Sequence, residues 1–261
     1  MVRSHHSDGQ AWRTARSDGV SNAPKRAMIM AAGLGTRMRP LTNDRPKPLV
    51  EVAGKTLIDH ALDRLAAVGV TMAVVNVHYK AEMLMAHLKK RTDMEFVFSE
   101  ETDTLLGTGG GVVKAMPHFK GEPFWIMNSD TLWVEGVGRA LQNMVARWDP
   151  ERMDALLLLA SMVSARGYEG AGDFYMDAEG HITRVDERKL SPFAYPGVQI
   201  VHPRLFEGAP SGTFSTNKMW DVAIKKQRLY GIRLDGIWFH VGTPEAVKET
   251  EQYLADHHVT I

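Results

Sequence analysis

Residues 27–50 read AMIMAAGLGTRMRPLTNDRPKPLV, and the fold turns on how this stretch divides. The apolar run 27–32 is strand-sized and ends in glycine, so it reads as a buried first strand. Gly33 and Gly35 then remove side chains where a ligand must approach the backbone, and N–H groups can face phosphate oxygens. Arg37 and Lys47 add fixed positive charge suited to a polyphosphate. Pro46 and Pro48 stiffen the segment that carries Lys47. Two familiar phosphate-binding patterns do not fit. The dinucleotide fingerprint needs a third glycine where Met38 stands, and Pro40 interrupts the helix it would open, which disfavours an NAD(P)-dependent oxidoreductase. No Gly-Lys-Ser/Thr of a Walker A loop falls within this stretch. Alone, the glycine pair also fits a tight strand-to-helix turn with solvated charges.

Working outward, apolar residues at Leu57, Ile58, Ala61, Leu62, Leu65 and Val68 have helical spacing, closed by Gly69. Residues 72–77 form a second buried strand, 80–90 an amphipathic helix and 95–98 a third strand. Residues 109–116 read as a helix after a glycine-rich turn, and 123–127 as a fourth strand with Asn128-Ser129-Asp130 at its end. Strands that alternate with helices imply right-handed crossovers and a mainly parallel sheet, which binds ligands at the carboxyl ends of its strands. Residues 33–36 and 128–130 both lie at such ends. The second half has shorter strands: 155–163, a hairpin over 173–185, then 195–201, 229–234 and 238–241, with a closing helix at 243–257.

Composition narrows the partners. Of the 261 residues, 44% are hydrophobic and 24% charged, ordinary for a globular protein. Lysine plus arginine equals aspartate plus glutamate, 31 each. That balance argues against nucleic acid or an anionic membrane as partner, but not against a small phosphorylated ligand. There is no cysteine, so no disulfide or thiolate chemistry is available, which fits a cytoplasmic protein. No apolar run reaches the roughly 18–20 residues of a membrane span. Residues 1–25 are polar and lack a signal-peptide core, so a disordered tail is expected there, followed by one catalytic domain at 26–261 with a sugar-binding lobe near 154–235. Oligomeric state is not readable.

The run from Ala31 to Thr42, followed by Pro46-Lys47-Pro48, strongly resembles the signature of the sugar-1-phosphate nucleotidyltransferases. Val52-Ala53-Gly54-Lys55-Thr56-Leu57-Ile58, Leu106 to Gly111, Asn128-Ser129-Asp130 and Val241-Gly242-Thr243-Pro244 are similar to further family elements, with Thr56 in place of a proline. The resemblance implies an α/β, Rossmann-like three-layer fold with a mixed, mainly parallel sheet. It also implies transfer of a nucleotidyl group from an NTP to a sugar 1-phosphate, with release of pyrophosphate. By resemblance, Arg37, Lys47 and Asp130 are catalytic. Ala32, Gly33, Leu34, Gly35, Thr36, Arg37, Glu101, Gly109 and Gly110 bind nucleotide. Asp130 holds Mg²⁺.

The family's second metal-binding aspartate aligns with His240. Imidazole prefers softer ions than Mg²⁺, so three readings stay open. His240 ligates Mn²⁺ or meets Mg²⁺ through water, or binds phosphate as imidazolium, or the chain is a non-catalytic nucleotide-sugar binding regulator. Gly170-Ala171-Gly172-Asp173-Phe174 and His202-Pro203 resemble the N-acetylmuramate-1-phosphate uridylyltransferases of cell-wall recycling. That subgroup implies UTP and N-acetylmuramate 1-phosphate, with GTP and mannose 1-phosphate as the nearest alternative. Asn128, Gly172, Asp173, Glu187, Tyr195 and Gly197 are the expected sugar contacts, with Asp186 a further candidate. Tyr195 is equally compatible with core packing.

Overall fold

The computed structural model describes residues 23–102, 104–185 and 189–261. Most of the expected tail lies outside these residues, as do Asp186 and Glu187. Residues 23–25 already belong to the packed body, since Ala23 is buried and the Pro24 carbonyl accepts from the Trp125 indole.

The first half builds a parallel sheet. β1 (Arg26–Met30) lies between β4 (Met72–Val77) and β6 (Phe124–Asn128), and β5 (Glu95–Glu100) flanks β4. Between β1 and β4 come a small hairpin, β2 (Glu51–Val52) with β3 (Lys55–Thr56), and helix α1 (Leu57–Ala67). Thr56 caps α1 by accepting from the Asp59 N–H, a role the family's proline could not fill. α2 (Ala81–Leu88) and α3 (Gly107–Ala115) complete the crossovers. α3 begins two residues before the expected helix and absorbs the glycine-rich turn.

The second half extends the same sheet in antiparallel fashion. β13 (Val198–Val201) pairs with both β6 and β8 (Ala155–Ser161), and β14 (Leu229–Arg233) runs parallel to β8. β12 (Phe193–Ala194) also pairs with β8, and joins the hairpin of β10 (Phe174–Met176) and β11 (Ile182–Arg184). Ala194 faces Ala160 while Gln199 faces Leu157. The strand expected at 195–201 is therefore broken by a bulge at Tyr195–Gly197.

Alternation along the strands fills both faces. Ile29 and Val75 pack under α1, α2 and α4 (Ala140–Arg147). Met28 and Val74 pack under α3 and α5 (Asn217–Lys225). These are the three layers. A second sheet stands at the carboxyl edge: β7 (Thr131–Glu135) antiparallel to β15 (Gly236–His240), with β9 (Ala165–Arg166) parallel to β15. α6 (Pro244–Asp256) closes over it, with Val247 and Leu254 on Leu132 and Phe239. β7, α4 and α5 were not foreseen from sequence. No helix among the described residues is long and apolar enough to cross a membrane.

Candidate active site

The parallel register sets Met30 beside Asn128, so the loops after β1 and β6 leave the sheet side by side. The Ser129 N–H donates to the Met30 carbonyl at 3.2 Å, tying the second loop to the first. Between them lies a cavity of about 220 Å³, lined by Ala31, Gly33, Gly35, Thr36, Arg37, Lys47, Ser129, Asp130 and Gly242, among others. Of the residues assigned to the first loop from sequence, Ala32 is buried and Leu34 is exposed outside this lining.

Gly35 is needed on steric grounds. Its φ is +64°, and a Cβ there would come within 3.0 Å of Lys47 Cβ and 3.1 Å of Thr42 Cγ2. Thr42 Oγ1 also donates to the Gly35 carbonyl at 2.8 Å. The proline-bound segment thus folds back onto the loop and aims Lys47 across the cavity, where its ammonium pairs with the Asp130 carboxylate. Gly33 meets no atom within 4 Å of an added Cβ, so its absent side chain leaves open space.

His240 arrives from 110 positions downstream. The β7–β15 register pairs it with Thr131, next to Asp130. Burial, together with the Lys47 and Arg37 charges, holds its pKa below the usual histidine range, against the pull of Asp130. The shift favours the neutral ring, with a lone pair available. This disfavours the imidazolium reading and leaves a carboxylate and a neutral imidazole as neighbouring donors. Among the described residues no three His, Asp or Glu converge as a self-sufficient metal cage. One carboxylate plus imidazole suits a divalent ion that takes its other ligands from substrate phosphates.

Sequence reasoning passed over Tyr168. Its ring stands edge-on to His240, with centroids 5.8 Å apart, and tilts against Trp238 at 5.2 Å. With His240 it lines a second cavity of about 360 Å³ that shares Arg37 and Gly242 with the first. No local signal marks it, because the β9–β15 pairing brings it there.

The second glycine turn is spent on protein packing. Gly109 is buried, and a Cβ on it would lie 2.2 Å from Phe214 Cε2; one on Gly110 would lie 2.4 Å from the Gly212 carbonyl. The Gly109 N–H donates to the Phe214 carbonyl at 2.9 Å. Their backbone serves the 212–216 loop in this structure. Glu101 is also buried, bonded to Asn76 and the Leu106 N–H.

The expected sugar contacts gather around the bulge. Gly197 has φ +95°, and a Cβ would meet Asn128 Nδ2 at 2.5 Å and Thr131 Oγ1 at 2.7 Å. The Asn128 N–H donates to the Gly197 carbonyl at 2.8 Å. Asp173 accepts from the Tyr195 N–H at 2.8 Å, and Gly172, with φ +82°, admits Ser191. Tyr195 packs edge-on against Trp220 at 4.8 Å, and burial pushes its phenol pKa up, so its side chain serves packing here. None of these residues lines the cavity between the two loops.

Backbone amides, two cations and a carboxylate around one small cavity suit a ligand with several phosphates. The chain belongs to the nucleotidyl transferase family, whose model matches residues 26–257, and it is a nucleotidyltransferase enzyme. It is 45% identical over 91% of its length to the whole of the N-acetylmuramate alpha-1-phosphate uridylyltransferase of Caulobacter vibrioides. The protein of that name from Neisseria meningitidis serogroup B is 33% identical, covering 87% of this chain and 96% of that one. The mannose-1-phosphate guanylyltransferase catalytic subunit beta of Drosophila pseudoobscura is 30% identical, and this chain's match spans 84% of its own length and 60% of that protein's. Among solved structures, a UDP-glucose pyrophosphorylase bound to UDP-glucose has the same fold, with a TM-score of 0.73 at 18% identity over 89% of this chain and 99% of that one.

Proposed function

We propose that this enzyme transfers the uridylyl group of UTP to N-acetylmuramate 1-phosphate, giving the UDP-sugar and pyrophosphate. The observation that carries the chemistry is the cavity where Gly33, Gly35, Arg37, Lys47 and Asp130 meet. The substrate pair is supported by 45% identity to a uridylyltransferase of matching length.

In this reading a sugar-phosphate oxygen attacks the α-phosphorus of UTP. The bond from that phosphorus to the bridging oxygen breaks, and pyrophosphate leaves with the electron pair. No general base is required, because a phosphate monoester is largely ionised near neutral pH. Arg37 and the main chain of residues 33–37 neutralise charge on the departing pyrophosphate. Lys47 exchanges Asp130 for the acceptor phosphate and orients it. Asp130 and neutral His240 would hold a divalent ion, Mg²⁺ or Mn²⁺. Bound there, such an ion would supply charge neutralisation for the reacting phosphates. Gly197, Asn128, Gly172 and Asp173 shape the sugar side, and a cytoplasmic role in cell-wall recycling belongs to the same proposal.

A pyrophosphate-release assay across the four NTPs and a panel of sugar 1-phosphates tests it. UTP with N-acetylmuramate 1-phosphate should give the highest kcat/KM. Faster turnover of GTP with mannose 1-phosphate would replace this substrate assignment. Binding of UDP-sugar without turnover of any pair would favour a regulator.

A further inference from the structure

Glu101 and Asn76 are each only 2% exposed. They form a chain of hydrogen bonds, buried except at its Leu106 end, between two loops far apart in sequence. Asn76 Oδ1 accepts from the Ala31 N–H at 2.7 Å. Asn76 Nδ2 donates to Glu101 Oε1 at 2.7 Å, and Glu101 Oε2 accepts from the Leu106 N–H at 2.8 Å. The order is fixed by chemistry. The two terminal amides can only donate, so the carboxamide must turn its oxygen to Ala31 and its nitrogen to Glu101. Gly111 belongs to the same arrangement, since a Cβ on it would lie 2.9 Å from Glu101 Oε1 and 3.1 Å from Asn76 Nδ2.

The two ends of this chain are informative. Ala31 opens the phosphate loop and lines its cavity. Leu106 is the N-cap of α3, beside the exposed residues Gly107 and Thr108. Burying a carboxylate against two neutral amides is costly, and a hydrocarbon pair could fill the same space. The bonds instead fix a distance. We infer that Asn76 and Glu101 are positioning residues that set the spacing between the phosphate loop and the start of α3, and so the affinity for NTP. This rests on the nucleotide reading of the cavity given above. Neither residue lines the phosphate cavity, so the sugar 1-phosphate KM should be insensitive to them.

The symmetry of the chain supplies its test. Asn76→Asp sets two carboxylates face to face. Glu101→Gln leaves two N–H donors opposed, whichever way the amides turn. The double variant N76D/E101Q restores all three bonds with the charge moved one residue along: Asp accepts from Ala31 and from the glutamine amide, and the glutamine oxygen accepts from Leu106. UTP binding to the full chain is measured by calorimetry with Mg²⁺ present, alongside the KM for sugar 1-phosphate. Each single variant should weaken UTP binding about tenfold or more, a change of about 1.4 kcal/mol. The sugar 1-phosphate KM should move less than about twofold, and the double variant should return UTP binding to within about threefold of the starting protein. If neither single variant folds, Gly111→Ala carries the test. Alanine favours the helix itself yet crowds Glu101, so weaker UTP binding with an undiminished melting temperature is expected. Single variants that bind UTP normally, equal losses for both substrates, or a double variant no better than the singles overturn the inference. A starting protein that binds no NTP overturns the nucleotide reading with it.

Discussion

Gly109→Ala sets helix propensity against packing. Gly109 sits inside α3, and alanine there should by propensity alone stabilise the protein by about 1 kcal/mol. The structure reverses the sign. The added Cβ would lie 2.2, 2.5 and 2.9 Å from three atoms of the Phe214 ring, which is itself only 4% exposed. The ring has to leave its seat, forfeiting about 2–3 kcal/mol of burial. Two backbone hydrogen bonds of the same contact, Phe214 N–H to the Leu106 carbonyl and Gly109 N–H to the Phe214 carbonyl, then weaken at about 1 kcal/mol each. The net is a loss of about 3 kcal/mol. At roughly 2–4 °C per kcal/mol for a chain of this size, Tm should fall by about 6–12 °C in a calorimetric scan. A double-mutant cycle isolates the contact. Phe214→Ala alone should cost about 3–5 kcal/mol, and adding Gly109→Ala to it should cost nothing further, because the methyl enters vacated space. A Tm that stays level or rises in Gly109→Ala, or costs that simply add, would refute the packing account of the second glycine turn.

Three further outcomes are expected. Arg37→Ala and Asp130→Ala should each lower kcat/KM by about 10²-fold or more with an unchanged circular dichroism spectrum; normal turnover in either removes that residue from the chemistry. His240→Asp should shift the metal preference toward Mg²⁺, and an unchanged Mg²⁺/Mn²⁺ activity ratio would mean that His240 is not a ligand. Asp154 is buried between Arg204 and Arg228, and although burial alone would raise its pKa, the Arg228 and Arg204 bonds outweigh burial and hold it below the ordinary carboxylate value of about 3.9. Its stabilisation is therefore full above about pH 4 and fades as pH falls through the lower folded-state value. Asp154→Asn should cost about 3 kcal/mol in urea unfolding at pH 7, with the gap narrowing below about pH 4; a gap constant down to pH 3 would sink this assignment.

Local sequence carried much of the fold. The run ending in Gly33, the helical spacing from Leu57 to Leu65 and the closing helix after Thr243 were all legible, because each is set by neighbours within a few residues. The same holds for Arg37 and Lys47, whose loop is folded by its own glycine and prolines. β7, α4 and α5 were missed. Each is short, and its apolar positions gain meaning only against the sheet they cover. The bulge at Tyr195–Gly197 was missed for a similar reason, since an extended strand and a broken one share the same period.

The sequence by itself determined the glycine loop after the first strand, its two cations and the family they resemble. Tertiary structure alone decided what those residues face. Strand register set His240 opposite Thr131, next to Asp130 in the chain, and burial there lowers the pKa of that imidazole. Chain packing turned Gly109 and Gly110 toward Phe214 and Gly212, and placed Glu101 against Asn76. Gly109 and Gly110 show where a side chain cannot be, but what fills the space there comes from residues about a hundred positions away, and no local pattern encodes a partner at that distance.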